Sequence, residues 1–282
     1  MMYVKTPLNY TGGKYKLLSQ ILPLFPKEIS VFYDVFCGGM DVSVNVKAKR
    51  KIANDKLTQI IEVIKWFKKA GYEEVVRLVE EKEQEYGLDG KGDKLAIDRK
   101  ERYYALREEY NKKKSPLGLY VLICNAFSNQ VRFNSKGNFN MPYGKRHFNS
   151  VIKERLKEFI DRLSNVELMS KNLRDMDFSG VERKDFVYCD PPYTITEAAY
   201  NKNGGGWSIG DDMYLFEVLD GLNERGIKFA MSNTVSAKGI ENKELIEWGK
   251  KYNVHHLNMD YGNCNYHRKS QEKTDEVLIT NY

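Results

Sequence analysis

An acid, two prolines and an aromatic follow one another in Asp190-Pro191-Pro192-Tyr193, directly after the short apolar run Phe186-Val187-Tyr188-Cys189. The run reads as a buried strand that begins after the polar Glu182-Arg183-Lys184-Asp185 segment. Proline fixes φ and removes the N–H, so the backbone after Asp190 is stiff and presents carbonyls without competing donors. Asp190 and the Pro191 carbonyl can each accept one hydrogen of an exocyclic NH2, while the Tyr193 ring stacks on the planar heterocycle that bears it. Such an amine is a poor nucleophile because its lone pair is delocalised into the ring. Two acceptors favour the pyramidal nitrogen that forms as it attacks a methyl group. The same residues also suit a plain acidic turn after a strand, since Asp-Pro often begins turns.

A transfer site needs a second element to bind the donor. Val31-Phe-Tyr-Asp-Val-Phe-Cys-Gly-Gly-Met40 reads as a buried strand running into glycines, and Lys51-Ile-Ala-Asn-Asp-Lys56 as a second strand with Asp55 at its end. Strand, glycine turn, helix, strand, acid is the first half of a nucleotide-binding α/β unit. Asp55 falls 17 residues after Gly38, close to the roughly 20-residue offset at which an acid reaches ribose hydroxyls. No full G-x-G-x-x-G is present, so an adenosine such as S-adenosylmethionine fits better than a dinucleotide. Upstream, Tyr10 and Lys14 flank a Gly12-Gly13 turn where backbone can approach a ligand, before a short helix that Pro23 and Pro26 end. A tight turn leading into a helix is the simpler reading of that stretch.

From Leu57 the texture changes. Apolar residues at helical spacing cover Leu57 to Ala70 and Tyr72 to Tyr86, with Gly71 and Gly87 as stops, followed by a charged helix over Arg99 to Lys113. Helices crowd here where an α/β pattern alternates, which marks an insert. Its last part, Phe127 to Arg146, interleaves aromatics, amides and basic residues around Gly137 and Gly144 in a hairpin-like pattern. Arginine can pair with guanine, amides can read adenine and an aromatic can wedge into a base stack. A polar hairpin with solvated charges has the same pattern. A helix over Val151 to Leu163 follows. Thr194 to Asp211, with Gly204-Gly-Gly206, reads as a mobile loop beside the acid, then helices over Met213 to Glu224 and Asn242 to Lys250 alternate with strands over Ile227 to Met231, Asn253 to Met259 and Glu276 to Thr280. Tyr261 to Thr274, between the last two strands, is a polar loop carrying His267, Arg268 and Lys269.

The net charge of +6 is mild, as in many nucleic-acid binders and many ordinary proteins. No window approaches the roughly 18 apolar residues of a membrane span, and the start lacks a signal-peptide core. A cytoplasmic protein is expected. Cys37, Cys124, Cys189 and Cys264 lie far apart with no C-x-x-C pair, and the four histidines show no ligand spacing, so neither disulfides nor a metal are expected.

Seven patches in order carry a family resemblance: N-Y-T-G-G-K at Asn9 to Lys14, D-V-F-C-G-G at Asp34 to Gly39, A-N-D at Ala53 to Asp55, F-S-N-Q-V-R-F-N at Phe127 to Asn134, P-Y-G-K-R at Pro142 to Arg146, D-P-P-Y, and S-N at Ser232-Asn233. The closing T-D-E-V-L at Thr274 to Leu278 also matches. Together they resemble the Dam family of DNA adenine methyltransferases, in its phage-type, alpha-ordered form. The resemblance implies a Rossmann-like class I methyltransferase sheet formed by residues 1–56 and 156–282, with a mainly helical target-recognition domain over 57–155 carrying a β-hairpin. It implies S-adenosyl-L-methionine as donor, S-adenosyl-L-homocysteine as product, no metal, and the N6 amine of adenine in double-stranded DNA as acceptor. Members with this insert usually read GATC.

Carried over by position, Asp190, Pro191, Pro192 and Tyr193 would hold the flipped base, and Tyr10, Lys14, Phe36, Cys37, Gly38, Gly39, Asp55 and Asp190 would contact or border the donor. Phe127 would wedge into the duplex, with Ser128, Gln130, Arg132, Pro142 and Arg146 on bases or phosphates. At Gln130 phage-type members tend to have an apolar residue, and Gly204-Gly-Gly206 makes its loop longer than theirs. The resemblance further suggests a restriction endonuclease as a candidate partner and a monomer or weak dimer. The alternatives are the same chemistry on another adenine site, on RNA, on cytosine N4 or on a protein glutamine, and a DNA-binding regulator without catalysis. Aspartate at the first D-P-P-Y position favours adenine, since the cytosine enzymes usually carry serine there and the glutamine enzymes asparagine.

Overall fold

The computed structural model describes residues 3–90, 96–196, 206–258 and 274–282. In chain order the elements are α1 (Leu18–Ile21), β1 (Val31–Asp34), β2 (Arg50–Asn54), α2 (Thr58–Ala70), α3 (Tyr72–Glu85), α4 (Ala96–Lys113), α5 (Pro116–Asn125), α6 (Ser150–Asp161), β3 (Val166–Met169), β4 (Phe186–Cys189), α7 (Ile209–Glu224), β5 (Lys228–Ala237), β6 (Ile240–Glu241), α8 (Lys243–Gly249), β7 (Asn253–Leu257) and β8 (Asp275–Thr280). They form two compact units. One gathers Met1–Gly13, Gly38–Asn45 and Asp55–Ser170, the other Lys14–Cys37, Val46–Asn54 and Lys171–Tyr282.

The second unit is built on a sheet ordered β2-β1-β4-β5-β8-β7, with β6 paired to β5. The pairings β2 to β1, β1 to β4 and β4 to β5 are parallel, and β8 runs antiparallel to both β5 and β7. Chain order steps from β1 outward to β2 and then to β4 on the other side, so the sheet has a switch point between β1 and β4. Ligands of open α/β sheets bind beyond the carboxyl ends of strands at such a point. The register Asp34↔Tyr188 and Cys189↔Met231 brings the residues after β1 and β4 to neighbouring levels. β4 is buried throughout, as the apolar run Phe-Val-Tyr-Cys requires of a central parallel strand. Alternate side chains serve the two faces. Val187, Cys189, Phe229 and Met231 join Leu215, Phe216, Leu219 and Trp248 in one core, where Phe216 stacks on Trp248 at 4.5 Å. Phe32, Phe186 and Tyr188 pack against Phe25.

The first unit holds α2 to α6. A single glycine, Gly71 at φ 76°, ends α2 and starts α3, a conformation that costs glycine little. Phe67 meets Tyr120 of α5 edge-on at 4.7 Å, and Tyr103 and Tyr110 of α4 are buried. Lys68 donates to the Val166 carbonyl of β3.

Several expectations change. Residues 41–45 form turns where the strand, glycine turn, helix, strand pattern calls for a helix, with Val44 N–H on Met40 O, Asn45 N–H on Val42 O and Met40 at φ 68°. The Asn45 side chain binds the Asp41 carbonyl and both polar groups of the Val4 backbone, which holds the segment in its turns. Pro23 does not end the first helix, because a 3-10 turn carries it through Leu22–Leu24. β5 does not stop before Ser232-Asn233 but runs on to Ala237, since β8 supplies partners opposite Ser232, Asn233 and Thr234. α7 begins at Ile209, earlier than expected, because Ser208 and Asp211 cap it reciprocally. Half of the expected mobile stretch from Thr194, including Gly204 and Gly205, and most of the Tyr261 to Thr274 loop with His267, Arg268, Lys269 and Cys264, lie outside the described residues.

Candidate active site

Asp190 follows the last residue of β4, so strand pairing fixes where its carboxylate starts and the two prolines fix where the chain goes next. Its Oδ2 lies 2.9 Å from Lys14 Nζ, and its Oδ1 accepts the Tyr193 hydroxyl at 2.8 Å. Lys14 Nζ also stands 4.9 Å from the Tyr193 ring centroid. Side-chain exposure is only 5% for Lys14 and 17% for Asp190, so the pair is largely withdrawn from solvent. Burial pushes the Asp190 carboxyl up from its usual range, against the pull of Lys14 and of the Tyr193 hydrogen bond. Glu276 of β8 feels the same pair through space and is raised chiefly by its own burial. One cation thus serves two acids. Each oxygen of an ionised carboxylate has a further lone pair, so Asp190 still has capacity for an amine hydrogen.

Around this corner the second unit adds support. Tyr188 hydroxyl and Ser232 Oγ lie 2.7 Å apart across β4 and β5. Thr194, next after Tyr193, donates to Asp212 Oδ2, and Trp207 Nε1 donates to Asp212 Oδ1 at 2.7 Å. Phe36 meets the Trp207 ring edge-on at 5.3 Å. Asp190 is therefore held by Lys14, and the chain just beyond Tyr193 by Asp212. Asp212 and Glu276 are given no site role by the sequence, although Glu276 lies within the T-D-E-V-L patch. For Asp212 the available signal is Ser208-x-x-Asp211 beside Trp207, which fixes the start of α7 and brings the next acid inward. Cys37 is buried, and its N–H donates to Asn54 O at 2.7 Å.

In the first unit, Asp55 directs both carboxylate oxygens at backbone amides. Oδ2 accepts Gly38 N–H at 2.9 Å and Oδ1 accepts Leu57 N–H at 2.8 Å. Burial raises its pKa, and these two bonds oppose the shift. Gly38 sits at φ +48°, and a Cβ there would come within 2.9 Å of the Tyr10 ring. Tyr10 and Asp55 thus grip the glycine turn from two directions. A Cβ at Gly39 would meet Leu8 O at 3.1 Å, so this turn is shaped for closely approaching backbone.

The same unit contains the interleaved stretch 127–146, which is a hairpin with isolated bridges Ala126↔Tyr143 and Phe133↔Phe139. Its tip closes through Asn134, whose Oδ1 accepts Lys136 and Asn138 N–H, with Gly137 at φ 70°. At its base Phe127 N–H donates to Pro142 O, and Gly144 N–H to Asn125 O. Phe127 stands 57% exposed, as a wedge requires. Ser128 and Asn129 take positive φ, and the Ser128 carbonyl accepts Asn9 Nδ2 at 2.6 Å. Asn9 also bridges Gln130. Arg132 differs from an outward-reaching reader: its Nε donates to Asn140 Oδ1 and a terminal nitrogen to Asn140 O, so its fork braces the opposite strand. Arg146 is exposed, with one long 3.5 Å contact to Asn129 Oδ1.

A family model for D12 class N6 adenine-specific DNA methyltransferases matches residues 10–262. The chain belongs to this family. It is similar to the type II methyltransferase M.FokI of Planomicrobium okeanokoites, 44% identical over 287 residues that cover 99% of this chain and 43% of that protein. Modification methylase StsI of Streptococcus sanguinis is 40% identical over 289 residues, with the same coverage. The chain thus spans less than half the length of these two relatives. DNA adenine methylase of Escherichia coli is 27% identical over 238 residues, 80% of this chain and 79% of that protein. In this D12 class chain the family match includes both the Lys14 and Asp190 corner and the Gly38 turn. Among the described residues, no group of three or more His, Cys, Asp or Glu side chains is placed to hold a metal ion, and no helix is long and apolar enough to cross a membrane.

Proposed function

We propose that the protein transfers a methyl group from S-adenosyl-L-methionine to the N6 amine of an adenine extruded from double-stranded DNA. The observation that carries the reading is the D-P-P-Y corner: an acid at the end of a parallel strand, neutralised by a buried lysine and followed by a backbone that cannot flex. A base stacked in a duplex cannot reach such a corner, so it must leave the stack at a cost of a few kcal/mol.

The residues proposed to hold the donor are Tyr10, Lys14, Phe36, Cys37, Gly38, Gly39, Asp55 and Asp190. At Gly38 the space a Cβ would need is filled by the Tyr10 ring, so this turn requires glycine. When bound, the donor supplies a methyl group on a positively charged sulfur. Asp190 and the Pro191 carbonyl accept the two amine hydrogens and orient the nitrogen lone pair, with the Tyr193 ring against the base. As the amine nitrogen takes the methyl group, the S–CH3 bond would break and S-adenosyl-L-homocysteine would leave as a neutral thioether, while the amine proton passes along the hydrogen bond to Asp190, a better base for its burial. Orientation of this kind contributes much of the acceleration, and no side chain need act as nucleophile.

Residues 127–146 are proposed to choose the site, with Phe127 entering the stack, Ser128, Gln130, Pro142 and Arg146 on bases or phosphates, and Arg132 reaching them through the guanidinium donors that Asn140 does not take. GATC is the sequence proposed from the family resemblance, and Gln130 is where this hairpin departs from it. A restriction endonuclease as partner, a cytoplasmic location and a monomeric or weakly dimeric state belong to the same reading. The test is incubation with unmethylated genomic DNA and the donor, followed by mapping of modified adenines. Methylation confined to one short sequence supports the proposal. Unaltered adenines, or a methyl group found on cytosine or on RNA alone, refute it.

A further inference from the structure

Glu83 lies on α3, 2% exposed, with no role in the chemistry above. Its Oε1 accepts two hydrogen bonds, from Asn125 Nδ2 at 2.7 Å and from Phe148 N–H at 2.8 Å. Asn125 is the last residue of α5, and Phe148 closely precedes α6. Between them runs the segment proposed to read DNA. One buried oxygen from a third helix therefore ties together the two places where that segment leaves and rejoins the helical body. The tie continues outward: the Asn125 carbonyl accepts Gly144 N–H, Asn129 Nδ2 reaches back to the Ile123 and Cys124 carbonyls, and the Phe148 ring packs on Tyr120.

A carboxylate is a costly choice for this place. The two donors that bind it are neutral, and Lys153, the cation that acts on it from α6, is ion-paired with Glu80. Burying an acid among neutral donors costs free energy that its hydrogen bonds must offset. We propose that Glu83 is the positioning residue for site recognition, fixing the spacing of the two chain segments that carry Phe127, Gln130, Arg132 and Arg146. The inference rests on reading residues 127–146 as the DNA-contacting segment.

The carboxyl has its pKa raised to about 7, chiefly by burial. Its bonds to Phe148 and Asn125 and the field of Lys153 oppose the rise, and Asp89 adds to it. Tyr120 and Cys124 of α5, and Tyr143 of the hairpin, also face it and stay neutral at such pH. Protonation near neutrality thus weakens the tie, because a neutral carbonyl is a poorer acceptor than a carboxylate.

The experiment compares wild type, Glu83→Ala and Glu83→Gln on duplexes carrying the preferred site and single-base variants of it, at pH 6 and pH 8. Losing a hydrogen bond to a charged group corresponds to roughly a tenfold change. Glu83→Ala should therefore lower discrimination between preferred and altered sites by about tenfold at pH 8, with the donor KM unchanged. Glu83→Gln, a neutral carbonyl acceptor like the protonated acid, should lie between the two and match wild type at pH 6. Wild type should discriminate better at pH 8 than at pH 6, and Glu83→Gln equally at both. A Glu83→Ala variant that melts earlier yet discriminates as wild type overturns the inference. Should that variant fail to fold, a wild-type-like pH dependence in Glu83→Gln overturns it instead. Wild-type protein that methylates no adenine sinks the functional reading. Selective wild type with equally selective variants sinks only this inference.

Discussion

Replacing Lys14 by methionine keeps most of the side-chain volume and removes the charge that Asp190 and Glu276 share. Removing one partner of a buried ion pair costs roughly 3–5 kcal/mol. Asp190 retains some solvent contact and its bond to Tyr193, which places the loss near the lower end, about 3 kcal/mol. For a chain of this size that corresponds to roughly 6–12 °C in melting temperature. The pH dependence has a definite sign. Asp190 already has a raised folded-state pKa, so its contribution to stability is complete below the ordinary value of 3.8 and is lost as pH rises through the folded one. Without Lys14 that folded value rises further. The variant should therefore lie closer to wild type near pH 4 and furthest below it near pH 8. In the proposed mechanism turnover uses the ionised carboxylate, so the acid limb of the kcat profile should also move to higher pH. Thermal melts across this range, with single-turnover rates, test both. The double variant Lys14→Met/Asp190→Asn should recover most of the stability at pH 8 and none of the turnover. A Lys14→Met protein that melts as wild type at pH 8, with its acid limb unmoved, would refute the assigned coupling.

Asp190→Ala should lower turnover by at least about 10²–10³, with a smaller effect on donor binding measured by calorimetry; near-normal turnover would remove Asp190 from the chemistry. Gly144→Ala places a Cβ 2.2 Å from the Ala126 carbonyl oxygen, a backbone atom that cannot rotate away. It should cost about 3 kcal/mol, the upper end for overpacking, and weaken binding to a DNA duplex in a titration. Unchanged binding would separate the base of the hairpin from DNA contact.

Much of the fold was legible because local signals agreed with it. Gly71 and Gly87 punctuate α2 and α3 where the sequence places stops, and Phe186 to Cys189 is the buried central strand that an unbroken apolar run implies. The extension of β5 was not legible, since Ser232-Asn233-Thr234 reads as polar and becomes strand only because β8 pairs with it. The start of α7 was hidden by the glycines before it, although Ser208 and Asp211 carry the capping signal. At the site, the residue types of D-P-P-Y and the glycine turn pointed to the chemistry. Their partners did not show. Lys14 and Asp190 lie far apart in sequence, and nothing local says that one neutralises the other. Arg132 likewise reads as a base contact by type, whereas Asn140, eight residues on, takes two of its donors.

Asp55 tests how far a site residue can be separated from the turn it holds. Its carboxylate accepts the amides of Gly38 and Leu57, so the acid proposed to reach ribose hydroxyls also shapes the turn proposed to bind the donor. Asparagine there keeps one oxygen and sets an NH2 against the other backbone donor. That loses one hydrogen bond and leaves a buried donor unmatched, a cost of about 1–3 kcal/mol. The same change relieves the burial of a charge, which outweighs its hydrogen bonds in setting the raised pKa. The two effects oppose, so Asp55→Asn should unfold within about 1 kcal/mol of wild type near pH 8. Donor affinity has no such compensation, because one of the two bonds that shape the turn and the second acceptor are lost. It should fall by about tenfold or more, some 1.4 kcal/mol, in a calorimetric titration. Stability that drops by several kcal/mol while donor affinity holds would make Asp55 a turn-former alone. The ribose contact would then have to come from a different residue.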